Sequence, residues 1–146
     1  MQKTFRKDEL SEIAKILFEE IRRRSSRERA TVVALSGDLG AGKTTLTQAL
    51  ARELGITETV ISPTFVIMKE YSLPGESGGF SRLVHIDAYR LESAAELSRL
   101  GWQELVADPK TLVLVEWPEK VPGAIPEDAV VVTLAHESEE VRQISF

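Results

Sequence analysis

The stretch Gly37-Asp38-Leu39-Gly40-Ala41-Gly42-Lys43-Thr44 matches the pattern G-x-x-x-x-G-K-[ST] at every fixed position. The apolar, β-branched run from Thr31 to Leu35 stands before it and predicts a short strand buried on both faces. After it, leucines and alanines recur at helical spacing from Lys43 to Leu54, and Gly55 marks the end of that helix. A strand, a glycine-rich loop and a helix in this order predict a phosphate-binding loop.

The chemistry of such a loop comes from its backbone. Glycines allow successive N–H groups to converge on a phosphate, and the helix N-terminus adds partial positive charge. Lys43 would neutralise oxygens of the β- and γ-phosphates, and the Thr44 hydroxyl would bind the Mg²⁺ that bridges them. A glycine-rich turn that matches by accident is the alternative, and the flanking strand and helix make it rare. The chain has no asparagine and hence no Asn-Lys-x-Asp loop for guanine, so ATP is the expected nucleotide.

Composition limits the classes of protein that remain. With 146 residues, 42% of them hydrophobic, we expect one domain spanning residues 1–146. No run of about 18 apolar residues and no signal peptide is visible, so we expect a cytoplasmic protein without a membrane partner. The absence of cysteine excludes a thiolate nucleophile and a cysteine-based zinc site. The net charge of −5 argues against broad binding to DNA or RNA.

Three polar residues at the ends of apolar segments are candidates for the chemistry. Glu116 follows the run from Leu112 to Val115 like the acid of a Walker B strand, which predicts a Mg²⁺ ligand. Asp87 ends another predicted strand and could reach the Mg²⁺ shell or the attacking water. Thr64, held on a Ser-Pro turn, is a candidate sensor of the γ-phosphate. The alternatives are an exposed strand-end glutamate, a surface aspartate and an ordinary turn. We expect His85 to be structural.

The remaining segments predict further elements without a chemical role. Asp8 is expected to cap a helix that ends at Arg22-Arg23-Arg24. The five arginines from Arg22 to Arg29 fit a solvated helix end better than a docking patch for RNA or an acidic partner. Other expected elements are a strand over 66–68, a hairpin turn over 74–79, a helix capped by Ser93 with Glu96 in a capping box, and a closing hairpin over 129–134 and 141–146.

Four segments together resemble the TsaE family, also called YjeE, over nearly the whole chain. They are residues 37–46, Ser62-Pro63-Thr64-Phe65, residues 85–91 beginning His85-Ile86-Asp87, and Glu116-Trp117-Pro118-Glu119. The resemblance implies a P-loop NTPase-like α/β fold, a three-layer sandwich with a mixed, mainly parallel central sheet. It also implies a small ATPase required for threonylcarbamoylation of adenosine 37 in tRNAs that decode ANN codons. Its partners would be TsaD and TsaB, whose complex it would regulate or reset, with tRNA involved only through that complex.

The resemblance also assigns roles to individual residues. Thr44 and Glu116 would bind Mg²⁺, Thr64 would belong to a switch-like segment, and Asp87 would support hydrolysis beside Lys43. The early helix and the loop after Glu116-Trp117 would contribute residues around Asp8, Glu9, Glu119 and Lys120. The residues expected at the nucleotide are therefore Gly37, Asp38, Gly40, Ala41, Gly42, Lys43, Thr44, Thr45, Asp87, Glu9, Glu119 and Lys120.

Two other functions share the loop. A small-molecule kinase would also need an acceptor pocket and a lid with arginines, for which 146 residues leave little room. A non-catalytic module would use ATP only to switch the 62–65 turn between conformations that a partner reads. No arginine finger is identifiable in the sequence, so we expect slow hydrolysis by the isolated chain.

Overall fold

A seven-stranded sheet in the order β1-β7-β6-β2-β5-β4-β3 organises the computed structural model, which describes residues 1–146. The strands are β1 (Gln2–Arg6), β2 (Thr31–Ser36), β3 (Met68–Ser77), β4 (Phe80–Asp87), β5 (Thr111–Glu116), β6 (Val130–His136) and β7 (Val141–Ser145). The helices are α1 (Leu10–Arg24), α2 (Lys43–Glu53), α3 (Ala94–Arg99) and α4 (Trp102–Val106), with 3₁₀ turns at Lys7–Glu9 and Pro118–Lys120.

The four central strands, β6, β2, β5 and β4, run parallel, and the outer pairings are antiparallel. All six residues of β5 are buried, as expected of a nearly continuous apolar run inside a parallel sheet. In register, Glu116 pairs with Leu35 on one side and with Asp87 on the other. The carboxyl ends of β2, β4 and β5 therefore meet at one edge of the sheet, where ligands of open parallel sheets bind.

Two hydrophobic cores lie on opposite faces of the sheet and make the molecule three-layered. One packs Ile13, Leu17 and Ile21 of α1, with Leu46 and Leu50 of α2, against the sheet. The other includes residues of α3 and α4, which cover the opposite face. Full burial of each large aliphatic side chain is worth about 1.5–3 kcal/mol. The mixed, three-layer α/β fold that the sequence predicted is confirmed.

The N-terminal strand β1 was not predicted, because only Phe5 among its residues is buried. It pairs antiparallel with β7 and so covers the edge of the closing hairpin. The expected cap at Asp8 is wrong: Asp8 lies in a 3₁₀ turn and α1 begins at Leu10, after Glu9. The carboxylate of Glu9 instead accepts the backbone N–H of Arg6 at 2.7 Å.

Three other local predictions need correction. The strand expected over 66–68 begins only at Met68, because Ile67 has a φ of 70° and turns the chain. Strand β3 then continues through Pro74 to Ser77, so the hairpin turn is confined to Gly78 and Gly79. No capping box forms at α3, since the side chain of Glu96 accepts the N–H of Glu92 rather than that of Ser93.

No helix in the structure is both long enough and apolar enough to span a bilayer. The arginines at the end of α1 mostly contact acids of the same chain. Arg22 pairs with Glu19, Arg23 with Glu20, and Arg29 with Asp128. These ion pairs agree with the prediction that the arginines form a solvated helix end and not a docking patch.

Candidate functional site

The loop between β2 and α2 presents a row of backbone donors. Gly37, Gly40 and Gly42 have φ angles of 153°, 81° and 105°, which let the chain curl tightly before Lys43 begins the helix. The backbone N–H groups of residues 42–45 donate to no acceptor within the protein. With the partial positive charge of the helix N-terminus, these donors form an anion-binding concavity.

Lys43 is 7% exposed and turns back toward its own loop. Its ammonium donates to the carbonyl of Gly37, and to that of Asp38 at 3.0 Å. It also lies 4.4 Å from the centre of the Trp117 ring. Gly37 and Asp38 therefore hold the lysine instead of lining the cleft. Trp117 keeps its ring there with a φ of 59°, which costs a non-glycine residue about 1–2 kcal/mol.

The two predicted acids lie beside this loop at the ends of neighbouring strands. Glu116 is 2% exposed, and its Oε2 lies 3.0 Å from Nε2 of His85. Asp87 accepts the Thr64 hydroxyl at 2.9 Å and the Ser62 hydroxyl at 3.3 Å. Because these donors and the N–H of Tyr89 fix the Asp87 carboxylate, the 62–65 turn is attached directly to β4.

These groups line a cleft of about 650 Å³. The predicted residues that line it are Gly40, Ala41, Gly42, Lys43, Thr44, Thr45, Thr64, Asp87 and Glu116. A larger open groove, of about 850 Å³, lies along α1 near both chain termini. Its charged side chains pair with one another, as Glu20 does with Arg23, so no free polar groups converge there.

Besides Gly37 and Asp38, three more predicted residues, Glu9, Glu119 and Lys120, lie outside the lining of the cleft. Glu9 bonds the backbone of Arg6, as described above. Glu119 accepts the Ser36 hydroxyl at 3.4 Å, and the ammonium of Lys120 lies 5.4 Å from the ring centre of Tyr89. From the same early segment as Glu9, Lys7 and Leu10 do line the cleft. Contact of Glu9, Glu119 and Lys120 with a nucleotide stays a prediction.

Arg142 is a residue of the cleft that the sequence did not indicate. It is 7% exposed, and no carboxylate lies within ion-pair distance of its guanidinium. The guanidinium donates to the carbonyl of Ser138 at 2.6 Å and to that of Gly40 at 3.5 Å. Phe5 and Leu134 form apolar wall beside it. Phe5 lies on the unpredicted strand β1, so the sequence did not indicate that it reaches the cleft. Arg142 carried no sequence signal either, because it lies in no recognisable motif.

The oxygen donors suit a magnesium ion bound together with phosphates. Nowhere do three or more His, Cys, Asp or Glu side chains form a cluster that could hold a metal alone. Mg²⁺ in nucleotide sites commonly takes only one or two protein oxygens and completes its shell with phosphate and water. Thr44 and Glu116 both line the cleft, and neither the Thr44 hydroxyl nor Oε1 of Glu116 forms a hydrogen bond within the protein. These two residues therefore fit such an ion.

The family model for the threonylcarbamoyl adenosine biosynthesis protein TsaE matches residues 5–144. The chain belongs to the TsaE family. It is 37% identical over 117 residues to the TsaE protein of Haemophilus influenzae, covering 80% of this chain and 70% of that one. It is 37% identical over 118 residues to the protein of Treponema pallidum, covering 81% and 82%. Both relatives are named tRNA threonylcarbamoyladenosine biosynthesis proteins.

A solved structure agrees with the TsaE assignment. The crystal structure of Bacillus subtilis YdiB superposes with a TM-score of 0.70 at 30% sequence identity. The match covers 99% of this chain and 83% of YdiB. The resemblance to the TsaE family that the four sequence segments carried is confirmed, and with it a role in tRNA threonylcarbamoyladenosine biosynthesis.

Proposed function

We propose that this TsaE family member binds and hydrolyses Mg·ATP in the cleft, and so regulates or resets a TsaD–TsaB complex during threonylcarbamoylation of adenosine 37 in tRNAs that decode ANN codons. One observation carries the proposal. The free N–H groups of residues 42–45 lie at the same cleft as Lys43, Thr44, Asp87 and Glu116. These are the kinds of group that phosphoryl transfer from a nucleotide requires.

The residues have separate roles in this proposal. The loop N–H groups and Lys43 hold the phosphate oxygens, for which Lys43 exchanges its bonds to the Gly37 and Asp38 carbonyls. Thr44 and Glu116 would hold Mg²⁺, which when bound would supply positive charge to neutralise the phosphate oxygens. Asp87 or Thr64 orients the attacking water. The hydrogen bond between the Thr64 hydroxyl and the Asp87 carboxylate holds the two side chains in a fixed relative position, so we assign both to the orientation of water.

Hydrolysis by the chain alone is expected to be slow. Rapid phosphoryl transfer commonly uses an arginine that neutralises charge in the transition state. Arg142 is the arginine in the cleft lining, and its guanidinium is engaged by backbone carbonyls. A partner that supplies such an arginine, or orders a residue of this chain for the same purpose, would accelerate hydrolysis. We propose this role for the TsaD–TsaB complex.

A second candidate function is an ATP-gated binding module without productive hydrolysis. The turn that carries Thr64 includes Ile67, a β-branched residue with a φ of 70°. Such a conformation is rare and strained for β-branched residues, and strained backbone clusters at active sites and switch segments. In this alternative, nucleotide binding shifts the turn and a partner reads its exposed residues, Phe65 and Val66, at 87% and 67% exposure.

Phosphate release from Mg·ATP, with and without TsaD–TsaB, separates the two functions. The wild type, Glu116→Gln and a control at an exposed carboxylate of α4, Glu104→Gln, are compared. An ATPase cycle predicts that TsaD–TsaB raise hydrolysis in the wild type and in the control, and that Glu116→Gln abolishes the rise. Nucleotide-dependent binding to TsaD–TsaB without any phosphate release would favour the gated module instead.

A further inference from the structure

His85 is completely buried, and its polar ring lies on the face of the sheet that α1 and α2 cover. It lies on β4, two residues before Asp87, in register with Leu114 of β5. Since side chains alternate along a strand, His85 shares one sheet face with Leu114 and Glu116. The imidazole therefore lies directly beneath the carboxylate that ends the neighbouring strand.

The ring makes one hydrogen bond, and that bond goes to Glu116. Nε2 lies 3.0 Å from Oε2 of the carboxylate, whereas Nδ1 is buried with no partner. A carboxylate that binds a metal ion can only accept hydrogen bonds, so we assign Nε2 as the donor of this bond. No other group in the protein bonds the Glu116 side chain, so His85 alone fixes its orientation and leaves Oε1 for another ligand.

Packing does not explain this residue. A leucine at position 85 would fill a core position without leaving a nitrogen unpaired, and buried polar groups in proteins nearly always have partners. We propose that His85 is a positioning residue, which holds Glu116 in the rotamer that binds the magnesium ion of Mg·ATP. The inference rests on the proposed function, in which Glu116 is a metal ligand. Groups that orient metal ligands through hydrogen bonds typically change metal affinity 10- to 100-fold when removed.

The test measures how nucleotide affinity depends on Mg²⁺, without any hydrolysis. ATP binding is titrated with chelator and then across a Mg²⁺ series, for the wild type, His85→Leu and His85→Gln. The amide nitrogen of glutamine can replace Nε2 as donor, whereas leucine keeps the volume and removes the bond. We expect His85→Leu to need roughly 10- to 100-fold more free Mg²⁺ for half of the metal-dependent gain in affinity. His85→Gln should restore most of it, and affinity in chelator should be unchanged in both.

A wild-type Mg²⁺ dependence in a folded His85→Leu protein would overturn the inference and leave His85 as a core residue. Thermal unfolding in chelator establishes that each variant is folded, and the flexible His85→Met replaces the leucine variant if that one does not fold. Glu116→Gln distinguishes failure of the metal site from failure of the positioning role of His85. If it leaves the Mg²⁺ dependence unchanged, the metal assignment in the proposed function fails; if only the His85 variants behave like the wild type, the positioning role alone fails.

Discussion

Adding one methyl group at Gly37 should separate the folding role of the phosphate-binding loop from its binding role. A Cβ at this position would lie 2.6 Å from the backbone oxygen of Leu134 and 3.3 Å from its Cβ. Leu134 belongs to β6, which pairs with β2 immediately before the loop, so the methyl would push the loop away from the sheet. At Gly40, by contrast, a Cβ would meet nothing within 4 Å.

The magnitudes follow from these two environments. Gly37→Ala combines an overpacking cost of about 1–3 kcal/mol with a backbone cost of about 1–2 kcal/mol at a φ of 153°. The sum is about 2–5 kcal/mol, a large part of the roughly 5–15 kcal/mol by which domains are stable. Gly40→Ala carries only the backbone cost of about 1–2 kcal/mol. For a domain of this size, Gly37→Ala should lower Tm by about 4–20 °C.

Urea unfolding followed by circular dichroism measures the difference directly. We expect a lower midpoint with an unchanged slope for Gly37→Ala, and a smaller shift for Gly40→Ala. ATP affinity should show the opposite order: Gly40→Ala should weaken ATP binding more than Gly37→Ala does. The reason is that the methyl group at Gly40 would enter the cleft where phosphates are proposed to bind. Equal stability of the two variants would refute the reasoning from the Leu134 contact.

Three further predictions concern the cleft and the opposite end of the sheet. Asp87→Asn should lower TsaD–TsaB-stimulated phosphate release about 100-fold or more while ATP affinity changes little, because the amide still accepts the Thr64 hydroxyl; an equal loss in affinity would contradict this. Arg142→Gln should lower the free energy of unfolding by about 1.5–3 kcal/mol in urea, since the buried, charged guanidinium no longer donates to the carbonyls of Ser138 and Gly40. The pKa of Asp108 is held below its usual value chiefly by the N–H of Lys110, then by Thr111 and Arg82. A lowered pKa adds stability above the unfolded value, near 3.8, that is lost as pH falls through the folded pKa. Asp108→Asn should thus be about 1 kcal/mol less stable at pH 7 and should lose less stability than the wild type on acidification.

The central elements of the fold were predictable because their patterns are local. The apolar runs of β2 and β5 and the glycine-rich loop define a strand, a turn and a helix without reference to the rest of the chain. The rule that ligands gather at the carboxyl ends of parallel strands then predicted Asp87 near the loop, and the apolar run before Glu116 predicted that acid there as in a Walker B strand. The structure places both side chains in the lining of the same cleft.

Features that depend on distant partners were not predictable. Strand β1 is polar except for Phe5 and exists because β7 offers an open edge. Arg142 is polar on a short terminal strand, and only the fold brings it to the carbonyl of Gly40, 102 residues away in sequence. The bond between His85 and Glu116 likewise depends on the register of β4 with β5. The positive φ of Ile67 contradicts the usual preference of isoleucine, so no local rule could anticipate that turn.

Calorimetric titration with Mg·ATP, comparing the wild type with Lys43→Met, measures directly whether the loop binds a nucleotide. The ammonium gives up two carbonyl bonds and its place over the Trp117 ring to reach the phosphates, so its net contribution should be about 2–3 kcal/mol rather than the full charge interaction of about 4 kcal/mol. We predict one site per chain in the wild type and binding about 30- to 150-fold weaker in Lys43→Met. No saturable binding, or equal affinity in the two proteins, would contradict nucleotide binding at this loop.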